Sequence, residues 1–220
     1  KNLSDPMNFS PIINGLAEAF IIGEKFIGSD DVTLILGDNI LYGESLPEML
    51  KSAIKKNSGA TIFGYYVDNP TSYGVVEFDD NFKAISLEEK PQNPKSNYAI
   101  PGLYIYDNNV VNISKTIKPS ARGELEITDV NKVYLKNDKL TVVTLGRGVA
   151  WLDSVTIEDL HEAAAFIEVI EKRQGLKIAC IEEIAYKMGF ISRDDLIKLG
   201  ESLSKSQYGK YILKIANMEK

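Results

Sequence analysis

The sequence is poor in the residues that would make several kinds of chemistry easy. Among 220 residues there is one cysteine, Cys180, one histidine, His161, and one tryptophan, Trp151. A single cysteine cannot close a disulfide within the chain, which fits a reducing compartment and gives the expectation of a cytoplasmic protein. It also has no neighbour that would lower a thiol pKa, so it reads as a packing residue. His161 lies inside a helical segment with no serine or cysteine motif beside it, and reads as a surface or packing residue rather than a general base. Trp151 reads as core. No apolar run approaches the roughly 20 residues that cross a bilayer. The opening KNLSDPMNF has no apolar signal region, and no membrane partner is implied. Lys and Arg total 25 against 31 Asp and Glu, a net charge of -6. The basic residues are dispersed, so no nucleic-acid footprint is present. No repeat or low-complexity stretch appears. The first residue is Lys rather than Met, which fits a fragment.

The length suits one domain with an appended subdomain. Asn14 is placed to cap a helix carrying Leu16, Ala19, Phe20 and Phe26. The continuous run Val32–Leu36 suits a central strand buried on both faces and ends in Gly37-Asp38-Asn39. A helix over Ser45–Lys56 and a second buried-type run, Ala60–Tyr66, complete a strand–helix–strand unit of an α/β sheet with right-handed crossovers. Tyr73–Phe78 and Ala84–Glu88 flank Asp79-Asp80-Asn81 as a hairpin. A strand at Leu103–Tyr106, helices at Val110–Ile117 and Glu124–Lys136, and strands at Leu140–Leu145 and Val149–Leu152 follow. Beyond Asp153 the pattern is helical. Thr156 and Asp159 resemble a capping box, and Leu160, Ala164, Ile167 and Ile170 form a stripe closed by Gly175. Shorter helices are predicted near Ile181–Met188, Asp194–Leu203 and Tyr208–Met218. The expectation is an α/β core over 1–155 and a helical C-terminal subdomain over 156–220.

Four segments could carry chemistry. Asp38 and Asp153 each follow an apolar strand, and ligands of open α/β sheets bind at the carboxyl ends of strands. Two such carboxylates can share a Mg²⁺ whose shell is completed by phosphate and water; alternatively they close a turn and start a helix. Glu88, Glu89 and Lys90 end a strand, where a carboxylate can accept from sugar hydroxyls and a lysine can bind phosphate, or where a hairpin end is merely solvated. Alternation along a strand would point Glu89 and Lys90 to opposite faces, so a bulge or Pro91 must re-aim one of them. Arg122 could clamp phosphate, while Glu124 and Glu126 suit a helix start. Gly146-Arg147-Gly148 is too short for a phosphate loop and reads as a turn.

In order along the chain stand LGDN at Leu36–Asn39, YG at Tyr42-Gly43, YGVVEFD at Tyr73–Asp79, SLEEKP, PKSNYA, GLYIYDN, SARGELEITD and GRG–AWLD. Each motif is short, but the ordered set, running from about Gly15 to Lys214, resembles the short-form bacterial glucose-1-phosphate thymidylyltransferases. The resemblance implies a Rossmann-like nucleotidyltransferase mixed sheet and transfer from dTTP to glucose 1-phosphate, giving dTDP-glucose and pyrophosphate. By position it implies Asp38 and Asp153 as Mg²⁺ ligands. Asn39, Gly74, Glu89 and Ile100 would contact the glucosyl group, Lys90 and Arg122 the phosphates, Gly15 the base, and Tyr73 would be a further substrate-binding residue. It further implies a homo-oligomer, a tetramer in the family.

The sequence departs from that pattern in places. The family's opening strand and glycine-rich Gly-Thr-Arg loop, which cradle the triphosphate, have no counterpart here, and the N-terminal strand of the sheet is missing with them. Ser10 replaces the glutamine that reads thymine, Ser154-Val-Thr156 replaces Thr-Gly-Thr, and Pro101 stands where threonine is common. The expectation is therefore a transferase whose activity as this chain is impaired. A non-catalytic sugar-phosphate-binding or oligomerisation fragment, and a uridylyltransferase of the same superfamily, are the alternatives.

Overall fold

The structure, a computed structural model, describes residues 14–218. The chain divides into two compact units, Lys1–Val155 and Thr156–Lys220.

The first unit runs through helices α1 (Glu18–Ile22) and α2 (Glu24–Ile27), strands β1 (Val32–Ile35) and β2 (Asn39–Tyr42), and helix α3 (Leu46–Lys56). Strands β3 (Ala60–Tyr66), β4 (Gly74–Phe78), β5 (Ala84–Glu89), β6 (Tyr98–Ala99) and β7 (Leu103–Tyr106) follow. Helices α4 (Val110–Ser114) and α5 (Ile127–Lys136) and strands β8 (Leu140–Leu145) and β9 (Ala150–Asp153) complete it. The main sheet is ordered β1-β7-β3-β6-β4-β5, with β8 parallel to β3 on its other side, while β2 and β9 form a separate antiparallel ribbon. The sheet is mixed: β3–β8 is parallel, and the other pairings in it are antiparallel.

Alternation along the strands separates two apolar layers. Ile62, Tyr104 and Tyr106 face Ile127, Val130 and Tyr134 of α5 together with Phe20 and Val110. Phe63, Leu103 and Ile105 face Ala53, Met49 and Leu50 of α3. Helix α3 keeps Pro47 in its first turn and Lys55 and Lys56 in its last, which suits its free N–H groups and its dipole.

Four expectations are corrected here. Among the described residues Val32–Ile35 is an edge strand: it pairs there with β7 alone and alternates half-buried and exposed residues, leaving Ile35 61% exposed. The strand buried through both faces is β3, which has neighbours on both sides. Asn14 does not cap the first helix; Ala17 occupies that position, and the Asn14 N–H donates to Glu18 Oε2 at 2.5 Å. Gly23 divides the predicted helix in two, so its buried residues become Ala17, Phe20 and Ile27, while Phe26 is exposed. Helix α5 starts at Ile127, not at residue 124, because Glu126 is extended at the N-cap.

The second unit holds α6 (Ile157–Gln174), α7 (Ile181–Lys187), α8 (Arg193–Ser202) and α9 (Gln207–Met218). Thr156 with Asp159 and Ser192 with Asp195 form capping boxes, and Gly175 closes α6 in the left-handed conformation. The unit packs around Cys180, Leu196, Tyr211, Ile212 and Ile215. Gly209 admits the backbone of Leu203 so closely that a Cβ would lie 2.1 Å from its carbonyl oxygen. On α6 the buried residue is Ala163, whereas Leu160 and Ala164 of the predicted stripe are exposed.

Candidate active site

The β2–β9 ribbon sets Asn39 directly opposite Asp153. Its register is extended past the strands: the Ser154 N–H donates to the Asp38 carbonyl at 3.1 Å and its hydroxyl to the same oxygen at 3.0 Å. Asp38 and Asp153 therefore come to the same end of the ribbon as diagonal neighbours. Asn39 is held at both ends of its amide. Its Nδ2 donates to Asp38 Oδ1 at 2.8 Å, and its Oδ1 accepts from the Gly102 N–H at 2.8 Å and from Trp151 Nε1 at 2.7 Å. Two donors on the oxygen fix which end of the amide faces Asp38. Trp151, read as core, is half-buried and walls the site, with its ring against Tyr73 at 4.9 Å and edge-on to Tyr65 at 5.6 Å.

A second group comes from β4, β5 and the segment after β6. Gly74 pairs with Glu89, and its carbonyl accepts from the Ile100 N–H at 2.8 Å. A Cβ on Gly74 would lie 3.2 Å from Thr128 Oγ1, 3.4 Å from Glu89 Oε2 and 3.5 Å from Ile100 Cδ1, so glycine leaves the space over which Glu89 is presented. Thr128, buried at the start of α5, donates its hydroxyl to Glu89 Oε2. At Lys90 the backbone turns into the left-handed region (φ +44°), and its N–H donates to the Tyr73 carbonyl at 3.0 Å. Strand alternation ends there, so Lys90 is not forced to the face opposite Glu89. Holding a side-chain-bearing residue in that conformation costs of the order of 1 kcal/mol.

Tyr104 joins the two groups. It is 4% exposed, and its phenol is held well above its ordinary pKa, first by burial and then by Glu89, Asp38 and Asp153. The negative charge of three carboxylates from three separate segments thus bears on one tyrosine.

Arg122 and Gly15 come from other segments of the unit. Arg122 is tied by Nη2 to Glu124 at 2.6 Å and by Nε to Glu126 at 3.2 Å. Glu124 holds the guanidinium charged, with smaller contributions from Glu126 and Glu89. Arg122 lines a cavity of about 430 Å³ with Glu88, Glu89, Ser120, Asp129 and Lys132, so it neighbours Glu89 but is already neutralised by its own loop. Gly15, at φ +117°, lets Leu125 approach so closely that a Cβ would lie 2.6 Å from Leu125 N and O. Ser10 lies outside the described residues.

Sequence reasoning missed Tyr104 and Thr128 as site residues and misassigned Trp151. Both tyrosine and threonine lay inside quoted motifs, but their patterns read only as strand and helix start. Among the described residues no group of three or more His, Cys, Asp or Glu side chains could hold a metal. Asp38 and Asp153, brought to one end of the ribbon, match in number and chemistry the one or two protein carboxylates that Mg²⁺ takes.

A mixed sheet flanked by helices, with acidic groups gathered at one end, defines an α/β protein with a ligand site at strand ends. The nucleotidyl transferase family, indeed, matches residues 5–169. A glucose-1-phosphate thymidylyltransferase of Neisseria meningitidis is 55% identical over 93% of this chain and 71% of its own length. One of Mycobacterium tuberculosis is 52% identical over 92% of this chain and 70% of its own length. The chain belongs to the glucose-1-phosphate thymidylyltransferase family of nucleotidyltransferases. A solved Bacillus anthracis structure assigned to the same family, in complex with sucrose, superposes with a TM-score of 0.62 at 40% identity. That match covers 71% of this chain and 62% of the other. A UDP-glucose pyrophosphorylase complexed with UDP-glucose shares the fold at 23% identity and a TM-score of 0.63, covering 70% of this chain and 62% of that one.

Proposed function

We propose that this chain carries the sugar-phosphate side of a Mg²⁺-dependent thymidylyl transfer. A phosphate oxygen of glucose 1-phosphate attacks the α-phosphorus of dTTP, the bond to the β-phosphate breaks, and dTDP-glucose and pyrophosphate are formed. The observation that carries this reading is that the Asn39 amide, held by the Gly102 N–H and Trp151 Nε1, ties down Asp38 at the end of the ribbon where Asn39 pairs with Asp153. Glu89, oriented by Thr128 and cleared by Gly74, accepts hydrogen bonds from glucosyl hydroxyls, while Asn39, Tyr73 and Ile100 bound that pocket. Asp38 and Asp153 would hold Mg²⁺, which when bound supplies positive charge to the phosphate oxygens. Lys90 adds a further cation on the phosphate side. Arg122 adds one only if phosphate competes with Glu124 and Glu126, and Gly15 stands on the base side. No protein nucleophile is required, because phosphoryl transfer rests on positioning and charge neutralisation.

The protein is read as a cytoplasmic homo-oligomer. As this chain, turnover is expected to be low, because the triphosphate needs a glycine-rich cradle of N–H donors. Losing one charge-neutralising group commonly costs about 10³. Pyrophosphate release with glucose 1-phosphate, Mg²⁺ and either dTTP or UTP, alongside calorimetric titration of glucose 1-phosphate, tests the reading. Glucose 1-phosphate binding with weak, dTTP-preferring turnover is expected. No glucose 1-phosphate binding overturns the assignment, a preference for UTP overturns the base, and turnover within about tenfold of a full-length relative overturns the impairment.

A further inference from the structure

Arg122 is gripped by two carboxylates that differ in burial and in what else holds them. Its Nε faces Glu126 Oε1 at 3.2 Å, and its Nη2 donates to Glu124 Oε2 at 2.6 Å. Glu126 stands at the N-cap of α5 with its side chain 9% exposed, and the Ser120 hydroxyl donates to the same Oε1 at 2.8 Å. That hydroxyl in turn accepts from the Arg122 N–H at 3.2 Å. Glu126 is therefore a fixed part of the loop. Glu124 has its side chain 47% exposed, and among the described residues Arg122 is the hydrogen-bond partner of its carboxylate.

The loop does not need the Glu124 side chain for its shape. The Ser120 N–H donates to the Glu124 carbonyl at 2.8 Å and the Gly123 N–H to the Ser120 carbonyl at 2.9 Å, so backbone closes the turn. Gly123, at φ +79°, has no atom within 4 Å of where a Cβ would stand, which leaves open space beside the turn. Arg122, Glu89, Glu126 and Lys132 line the cavity of about 430 Å³, and Glu124 does not. It holds the guanidinium from outside that cavity. With Nε committed to Glu126, an incoming phosphate has the pair Nη1 and Nη2 to bind, and Glu124 sits on Nη2. Two carboxylates on one guanidinium also leave the trio with a net negative charge, which opposes an anion. The outer contact is a weak one, because an exposed ion pair shifts an equilibrium by a factor of about 1.5 to 5. A phosphate dianion is a forked partner of higher charge and can displace it.

We infer that Glu124 is a positioning residue, a releasable carboxylate that keeps the Arg122 guanidinium neutralised in the unliganded chain and yields it to the sugar phosphate on binding, with Glu126 remaining as the fixed partner. The inference rests on Arg122 meeting the phosphate of glucose 1-phosphate, as proposed above. It gives separate tasks to Glu124 and Glu126, which in sequence read alike as residues of a helix start.

The test is a cycle of Glu124→Gln, Arg122→Gln and the double variant in the whole chain. The readouts are calorimetric titration of glucose 1-phosphate in Mg²⁺ and thermal unfolding without ligand. Glu124→Gln keeps the shape and removes the charge, so affinity is expected to rise about two- to fivefold with little change in the unfolding midpoint. Glu124→Ala should give the same gain. Arg122→Gln is expected to bind about tenfold more weakly, a loss that millimolar titration still measures, and adding Glu124→Gln to it should change nothing. Affinity and midpoint falling together in Glu124→Gln would mark a structural role. An equal gain with and without Arg122 would mark a general effect of charge. Either result, or unchanged affinity in Glu124→Gln, overturns the inference and leaves the assignment of the site intact. Wild-type affinity in Arg122→Gln overturns the inference and the phosphate role of Arg122. Absence of glucose 1-phosphate binding by the wild type overturns the inference and the site assignment together.

Discussion

Asn39 and Asp153 face each other across the β2–β9 ribbon, and the Asn39 amide ties Asp38 on one side to Gly102 and Trp151 on the other. One side chain thereby fixes a carboxylate at the end of the ribbon, the backbone of the main sheet and the indole wall of the crevice. The ribbon's own ladder is four residues long, and Leu41 also packs it against the α3-facing core.

Asn39→Leu should expose that dependence. The substitution fills similar volume but leaves the Gly102 N–H and Trp151 Nε1 without their acceptor. A stability loss of about 1–3 kcal/mol is expected from denaturant unfolding, together with loss of glucose 1-phosphate binding. An unchanged unfolding midpoint would show that the amide does not anchor the ribbon.

Gly74→Ala tests the clearance over Glu89. The added methyl would sit 3.2 Å from Thr128 Oγ1 and 3.4 Å from Glu89 Oε2, so the Thr128–Glu89 pair must move by a few tenths of an ångström. The fold should lose no more than about 1–3 kcal/mol. Affinity for glucose 1-phosphate should fall about tenfold, because the displaced carboxylate no longer meets the hydroxyls it orients. Affinity within about twofold of wild type would remove Gly74 from the glucosyl pocket.

Much of the first unit's order was legible in the sequence. The hairpin around Asp79–Asn81, helix α3 and strand β8 follow from local period and turn residues, and β4 and β5 lie where the hairpin pattern puts them. Failures came where tertiary context decides. Val32–Leu36 carries the apolar run of a central strand, but among the described residues it pairs with β7 on one side only. Trp151 has the composition of a core residue, yet its N–H is wanted by Asn39, and an indole with a bound N–H lies naturally at a wall. Tyr104 could not be distinguished from Tyr106 by sequence, since both are alternate apolar positions of one strand; only the identity of the groups across from each separates them. The carboxylates at 38, 89 and 153 were picked from strand ends, and their common neighbour is a property of the sheet order.

In the second unit, Tyr211 donates to Glu183, and burial, with that carboxylate as acceptor, pushes its phenol up to about 12. The folded state therefore holds the proton more tightly than the unfolded chain, where tyrosine titrates near about 10. The stabilisation is complete below that pH and is lost as pH rises towards about 12. Tyr211→Phe lacks this titration, so the stability advantage of wild type over the variant in urea unfolding should shrink across that window. A constant difference across it would mean that the phenol does not ionise with unfolding.

The central claim is that a metal held by Asp38 and Asp153 and a hexose phosphate presented to Glu89 share one site. Phosphorus NMR of glucose 1-phosphate with Mn²⁺ as a paramagnetic stand-in for Mg²⁺ addresses it without requiring turnover. Adding the wild-type chain is predicted to broaden the phosphate resonance well beyond the effect of Mn²⁺ alone, and the Asp38→Asn/Asp153→Asn double variant is predicted to abolish that excess while unfolding at the wild-type temperature or above. Equal broadening by wild type and the folded double variant, or none by the wild type, would contradict it.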